Sequence, residues 1–306
     1  MGVVVDRAGR AVANLQPFAA IDQMTTTMTP RTTAAALALL TAGLAAPAMA
    51  QTTPDWTGPY VGVFIGGNQA NDQGDERLRF DRNLDGNFGD TVTLAGTGAD
   101  AFSPGFCDGA ANTAVAADGC SDDKTGYEFG VRGGYDWQFG NFVVGGVGEY
   151  SAGAAEDSVT GFSTTPANYV FTRELEQLAA ARVRLGYAVG PALVYATGGG
   201  AWARVKNRFF SSNTANSFSE TVDDQDADGY QWGGGVEYAL APNLSVTGEY
   251  LYTSLDAGDH VVSVTRGSAP ITNPFVLAPN TAGTDIIRSN SKFGLHAVRL
   301  GMNYRF

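Results

Sequence analysis

Three groups of residues have types and spacing that could do chemistry. The first is Asp81-Arg82-Asn83-Leu84-Asp85-Gly86, which puts side-chain oxygens at alternate positions and glycine at the turn, like the first half of a calcium loop. Val92 stands where the twelfth-position glutamate belongs, so a calcium site would need Asp90 to join Asp81, Asn83 and Asp85 as the fourth oxygen donor. Solvated aspartates in an acidic loop are the competing reading, and the main reading carries no cofactor. Asp224, Asp226, Asp228 and Gly229 make a second, weaker match. The second group is His260 and His296 with Ser289 and Ser291, the components a nucleophilic hydrolase would need. Neither serine lies in an activation motif, and an interface position is expected for His296, so the chain reads as no enzyme. The third is Cys107 and Cys120, close together in a Gly, Ala and Asp stretch. In an exported protein they are expected to form a disulfide, with two free thiols as the alternative.

A fourth set of chemically notable residues is spread along the chain: Glu128, Arg132, Glu149, Arg182, Arg184, Glu237, Glu249 and Arg299. Each alternates with apolar neighbours, so each belongs to one face of a strand. Eight such runs are expected: Tyr60 to Gly67, Tyr127 to Gln138, Phe142 to Tyr150, Leu178 to Tyr187, Leu193 to Val205, Tyr230 to Leu240, Leu244 to Thr253 and Phe293 to Phe306. Most approach the roughly nine to eleven residues a tilted strand needs to cross a bilayer. Tight turns follow at Phe139-Gly140-Asn141, Val189-Gly190-Pro191 and Ala241-Pro242-Asn243, while the other four connections are long and polar. Short turns at one end and long loops at the other predict an eight-stranded, antiparallel, up-and-down transmembrane β-barrel. Its turns would be periplasmic and its four long loops extracellular.

Direction of the two faces is the next question. In a membrane barrel the apolar face meets lipid and the charged face fills the lumen, where an unpaired charge costs several kcal/mol. The eight charged residues are therefore expected to form an internal salt-bridge ladder. An ordinary antiparallel sheet with a solvated charged face is the alternative. Aromatics favour the membrane reading: Tyr135, Trp137, Phe142, Tyr187, Tyr238, Tyr304 and Phe306 fall near the turn end, and Tyr127, Tyr150, Trp202, Tyr230, Trp232 and Tyr252 near the loop end.

The front of the chain adds an address. Residues 28–50 combine Arg31, an apolar run from Ala34 to Ala46 and the small-residue site Ala48-Met49-Ala50, the pattern of a secretory signal peptide. Residues 1–27 read as an extension from an upstream start, and 51–306 as the barrel domain. A net charge of −12 argues against a nucleic-acid partner. The 40 glycines suit tightly curved sheets, because glycine lets neighbouring backbones approach closely.

From Trp56 to Phe306 the chain resembles the small outer-membrane β-barrel proteins of Gram-negative bacteria, the OmpA-type transmembrane domain often called porin family. The resemblance rests on Thr57-Gly58-Pro59-Tyr60-Val61-Gly62, Tyr195-Ala196-Thr197-Gly198-Gly199-Gly200-Ala201-Trp202, Gly248-Glu249-Tyr250-Leu251-Tyr252 and Arg299-Leu300-Gly301-Met302-Asn303-Tyr304-Arg305-Phe306. It implies export to the cell outer membrane, with Phe306 as the signal read by the barrel-assembly machinery. Expected partners are outer-membrane lipids, that machinery and a host or environmental surface, with the barrel a monomer. The expected role is structural or surface contact. A lipid-modifying enzyme on the same barrel and a small-solute channel are the alternatives, although eight strands leave a lumen that side chains fill.

Overall fold

The computed structural model describes residues 54–71, 75–221, 224–278 and 280–306. The expected extension and signal peptide lie outside the described residues. Eight strands form a ring: β1 (Gly58–Ala70), β2 (Gly126–Phe139), β3 (Phe142–Gly153), β4 (Ala167–Val189), β5 (Ala192–Ser211), β6 (Asp224–Ala241), β7 (Leu244–Asp256) and β8 (Lys292–Arg305). Each pairs antiparallel with its successor, and β8 closes on β1 from Tyr60↔Arg305 to Ala70↔Leu295. This is the all-β barrel that the periodicity predicts. Gly140 and Gly190 open two of the tight turns with φ of 61° and 56°, where a side chain would be strained.

Alternation decides which side faces what. On β2, Glu128, Arg132 and Asp136 are buried in the lumen while Phe129, Val131 and Trp137 stand exposed outside. On β8, Arg299, Asn303 and Arg305 point inward and Val298, Leu300 and Met302 outward. Valines, leucines and isoleucines on an outer wall, with arginines and glutamates inside, invert a water-soluble barrel and suit a hydrocarbon solvent. The charged face is therefore not a solvated one. Among the described residues no helix is long and apolar enough to cross a membrane, which leaves the strands to do so.

The four long connections are present, but they are folded rather than loose. β4 begins at Ala167 instead of Leu178, β5 runs on to Ser211 instead of Val205, and β6 begins at Asp224 instead of Tyr230. Strand Glu156–Ser163 pairs with the upper part of β4, and strand Gly105–Asp108 pairs with it in turn. Above them lies a four-stranded sheet in the order Ser217–Glu220, Val262–Thr265, Thr284–Arg288, Leu78–Asp81. Phe80, Phe102, Tyr169, Val262, Phe275 and Ile286 pack into a core of this layer's own.

Two physical features hid these strands. Glu156–Ser163 is buried on both faces along most of its length, so it shows no alternation. In β4 the register with β5 shifts between Arg204 and Val205, and the inward face changes from Leu178 to Leu175. Such a bulge breaks the period of two. The same extension corrects the second calcium match. Asp224, Asp226 and Asp228 lie in β6 opposite Lys206, Arg204 and Trp202, on an extended backbone that cannot curl around an ion.

Candidate functional site

The lumen and the layer above it hold the chain's organised polar chemistry, and lumen geometry follows from strand register. Arg132 is opposite Glu149, and Glu249 opposite Arg299. Gly66 on β1 lies between Glu128 and Arg299, and a Cβ there would come within 3.0 Å of the Arg299 side chain. The missing side chain opens the path between them. Arg299 donates to both Glu128 oxygens at 2.6 and 2.8 Å and to Glu149 at 2.8 Å. Arg132 reaches Glu249 at 3.1 Å, and its Nε lies 3.3 Å from Glu149. Arg182 meets Glu149 at 2.6 Å as an ion pair without hydrogen-bond alignment. The Phe64 ring sits between the Arg132 and Arg299 guanidiniums, 4.8 and 4.6 Å from its centroid.

A second tier lies nearer the turns. Arg184 pairs with Glu237 and, at 3.5 Å, with Asp136. Arg305 holds Asp136 at 2.9 Å and donates to the carbonyls of Trp56 and Gly58. Ser245 and Asn303 donate to Glu237, and Tyr195 donates to Glu249. All eight charged residues expected inside are brought together, and Asp136 and Arg305 complete the set. Both stand on alternating inward faces and were legible by the same rule.

A third ionic cluster, with no sequence signal, lies at the seam between barrel mouth and upper layer, beyond the outer aromatic girdle. Arg288 binds Glu76 at 2.6 and 3.0 Å and Asp157 at 2.9 Å. Arg173 holds the other Asp157 oxygen at 2.6 Å and donates to the carbonyls of Lys292 and Asn290. Glu76, Asp108 and Asp157 each bring one oxygen within 4.8 Å of the others. Asp123 accepts from the Ser158 N–H at 2.9 Å. Burial, then the charges of Asp157 and Glu76, push its carboxyl up to about 6. Burial also opposes the Asp157 charge, but Arg288 and Arg173 win and hold that group below its usual range.

The remaining sequence candidates have plainer surroundings. Asp81 accepts from the N–H groups of Asp85 and Gly86, Asp90 from those of Arg82 and Asn83, and Asp85 from Asn87. Asn83 donates to Asp85 at 3.0 Å. The segment's oxygens thus close their own turn, with Leu84 at φ 58° and Gly86 at φ 86°. Cys107 and Cys120 form the expected disulfide. His296 faces outward between tyrosines, bonding Tyr250 Oη at 2.6 Å and Asn71 at 3.3 Å. His260, in the last connection, is buried against Phe171 and lies 3.2 Å from Glu220. The Ser289 hydroxyl accepts from the Arg77 N–H. Phe306 is exposed at the turn end, its N–H donating to the Pro59 carbonyl.

A closed eight-stranded ring with an apolar exterior and an ion-paired interior narrows the family sharply. Residues 36–306 match the family model described as outer membrane protein beta-barrel domain. The chain belongs to that family. A relative within reach is the 31 kDa outer-membrane immunogenic protein of Brucella melitensis, 33% identical over 185 residues, 59% of this chain and 67% of the relative. A protein of the same description from Brucella suis matches equally. Among solved structures, Ail of Yersinia pestis aligns with 81% of this chain and 99% of its own at 12% identity and a TM-score of 0.29. The outer membrane protease OmpT of Escherichia coli aligns with 84% and 99% at 11% identity and a TM-score of 0.38. Likenesses that slight carry nothing about activity. As an outer-membrane β-barrel protein the chain resides in the cell outer membrane, so its turns are periplasmic and its folded layer faces outward.

Proposed function

We propose that this outer-membrane protein is a non-enzymatic surface-contact component, in which a sealed barrel anchors a folded recognition layer outside the cell. The observation that carries this is the layer itself. It has its own sheet, its own aromatic core and a disulfide, which mere connections between strands do not need. Conduction is disfavoured because Arg132, Glu149, Arg182, Glu249 and Arg299 fill the lumen cross-section with paired, buried side chains. Catalysis is disfavoured because the hydrogen bonds of His296 go to Tyr250 and Asn71, and Ser289 binds a backbone N–H.

The partners follow from this reading: lipid around the belt, the assembly machinery at Phe306, and an external surface above, with one copy sufficient to close the barrel. Nucleic acid has no place in it. Cells carrying the full chain are to be compared with cells whose 163–167 and 270–275 tips are replaced by Gly-Ser. Adherence to epithelial or abiotic surfaces should fall while detergent resistance holds. Unchanged adherence would overturn the surface-contact reading.

A further inference from the structure

The tips of all four extracellular connections converge on one cleft at the top of the layer, with a volume of about 780 Å³. Its walls include Leu94 from the first connection, Thr164 and Pro166 from the second, Thr214 from the third, and Thr272 and Pro274 from the fourth. Among the described residues no Asp, Glu, Lys, Arg or His lines it, on a chain whose net charge is −12. We propose that this cleft binds an uncharged oligosaccharide presented from outside the cell, which rests on the surface-contact reading and names its ligand class.

The lining chemistry selects that class. Aspartates and glutamates abound elsewhere in the connections, so an uncharged lining neither attracts nor repels ions and leaves hydrogen bonding and apolar contact to discriminate. Thr164, Thr165, Thr214 and Thr272 line the cleft, and their hydroxyls make no side-chain hydrogen bond among the described residues. A hydroxyl both donates and accepts, which matches a ligand whose own hydroxyls do the same. Apolar wall between them, from Leu94, Pro166 and Pro274, suits the C–H faces of a pyranose.

The cleft is also pre-formed. Asn213 donates to Tyr169 Oη at 3.0 Å and to Asn216 at 2.9 Å, while Asn216 and Asn273 exchange hydrogen bonds at 3.0 and 3.3 Å. These amides fix the third connection to the fourth, so little ordering entropy opposes binding.

The rival occupants fit less well. A peptide adding itself as a strand needs an open strand edge, whereas residues 164–166, 213–215 and 270–273 are turns and irregular backbone. A membrane lipid does not reach the site. Ser212 is ten residues beyond Trp202 along β5 and its exit, roughly 25 Å above the aromatic girdle at the usual rise and tilt. The opening therefore meets what approaches the cell, not what surrounds the barrel.

The test uses the full chain refolded in detergent micelles, with saturation-transfer NMR and calorimetric titration. The probes are maltohexaose, laminarihexaose, chitohexaose and lacto-N-tetraose, with a heparin hexasaccharide, a Pro-rich decapeptide and purified lipopolysaccharide as comparators. At least one neutral sugar should bind with a millimolar or tighter Kd. Thr164→Trp and Thr272→Trp, both at exposed positions, should weaken it about ten-fold or more by filling the cleft, while Asn87→Trp on the first connection should not. No signal from any of the neutral sugars, binding indifferent to both cleft variants, or a preference for heparin, peptide or lipopolysaccharide would overturn the assignment. No sugar binding by the parent chain, with adherence still dependent on the tips, would reject this ligand and leave the surface-contact reading standing.

Discussion

The lumen and the seam use the same side chains under different solvents. In the lumen Glu128, Asp136, Glu149, Glu237 and Glu249 face Arg132, Arg182, Arg184, Arg299 and Arg305, one base for each acid. At the seam, among the described residues, Glu76 and Asp157 pair with Arg288 and Arg173, and Asp108 and Asp123 add two more carboxyls beside them. Inside a ring wrapped by hydrocarbon, neither water nor protons can readily relieve an excess charge, so register matches the numbers. Above the membrane the excess can be met by proton uptake. Charge balance thus marks which polar cluster is structural scaffold and which can respond to its surroundings.

The sharpest way to break the comparison is Arg299→Ala. It strands Glu128 in the lumen, while Glu149 keeps Arg182 and Arg132, and should cost about 3–5 kcal/mol. The variant should lose its heat-modifiable band in semi-native gels, and Arg299→Ala with Glu128→Gln should recover part of it. An unchanged band would show that the lumen tolerates net charge as well as the seam does.

Next in size is the disulfide, which acts on the layer alone. Cys107→Ser with Cys120→Ser frees a short loop, for which unfolded-chain entropy suggests on the order of 3 kcal/mol, all of it local to the layer. Limited proteolysis of intact cells should cut the first connection several times faster while the band shift of the barrel persists. Equal cutting rates would mean that the layer is held without the bridge.

The smallest effect is the pH response of the seam. Asp123 is raised to about 6 from an ordinary 3.8, so between those values the folded layer holds a proton that the opened one releases. Its contribution is therefore full below about pH 4 and declines as pH rises through 6. Asp157, depressed, works in the other sense: its contribution is present above the ordinary carboxylate value and fades as pH falls below it. Hydrogen-exchange protection of Glu156–Ser163, corrected for intrinsic rates, should rise between pH 7.5 and 5.5, and Asp123→Asn should flatten that rise. A profile that is flat in the parent chain would remove the distinction between the two clusters. Phe306→Ser should touch neither, lowering only the amount of protein assembled into the membrane, as immunoblots of the outer-membrane fraction would report.

Legibility in the sequence divides along the same boundary. Every stave was readable wherever one face met lipid and the other the lumen, because two solvents impose a strict period of two. Arg299 and Glu128 could be placed on the inner face by that rule, and Asp136 and Arg305 obeyed it as well. Above the membrane the signal fails for definite reasons. Val159 and Phe162 are buried among Ser, Thr and Gly on a strand with no exposed face, and the register shift beside Leu175 changes the parity of β4. Glu76 and Arg288 are 212 residues apart, so no local pattern could pair them. The turn at Asp81 to Asp90 shows the converse: its oxygens were found by spacing, but that spacing also serves an aspartate closing its own backbone turn.

The most direct test of a sealed outer-membrane barrel carrying a folded external layer combines fractionation with shaving. Cells expressing the full chain are treated with protease, and the outer-membrane fraction is run with and without boiling. Cleavage confined to the outer connections, with the unboiled protein still compact and shifted, is the predicted result. Protein recovered in a soluble fraction, or a membrane-bound chain with no heat-dependent shift, would contradict the account.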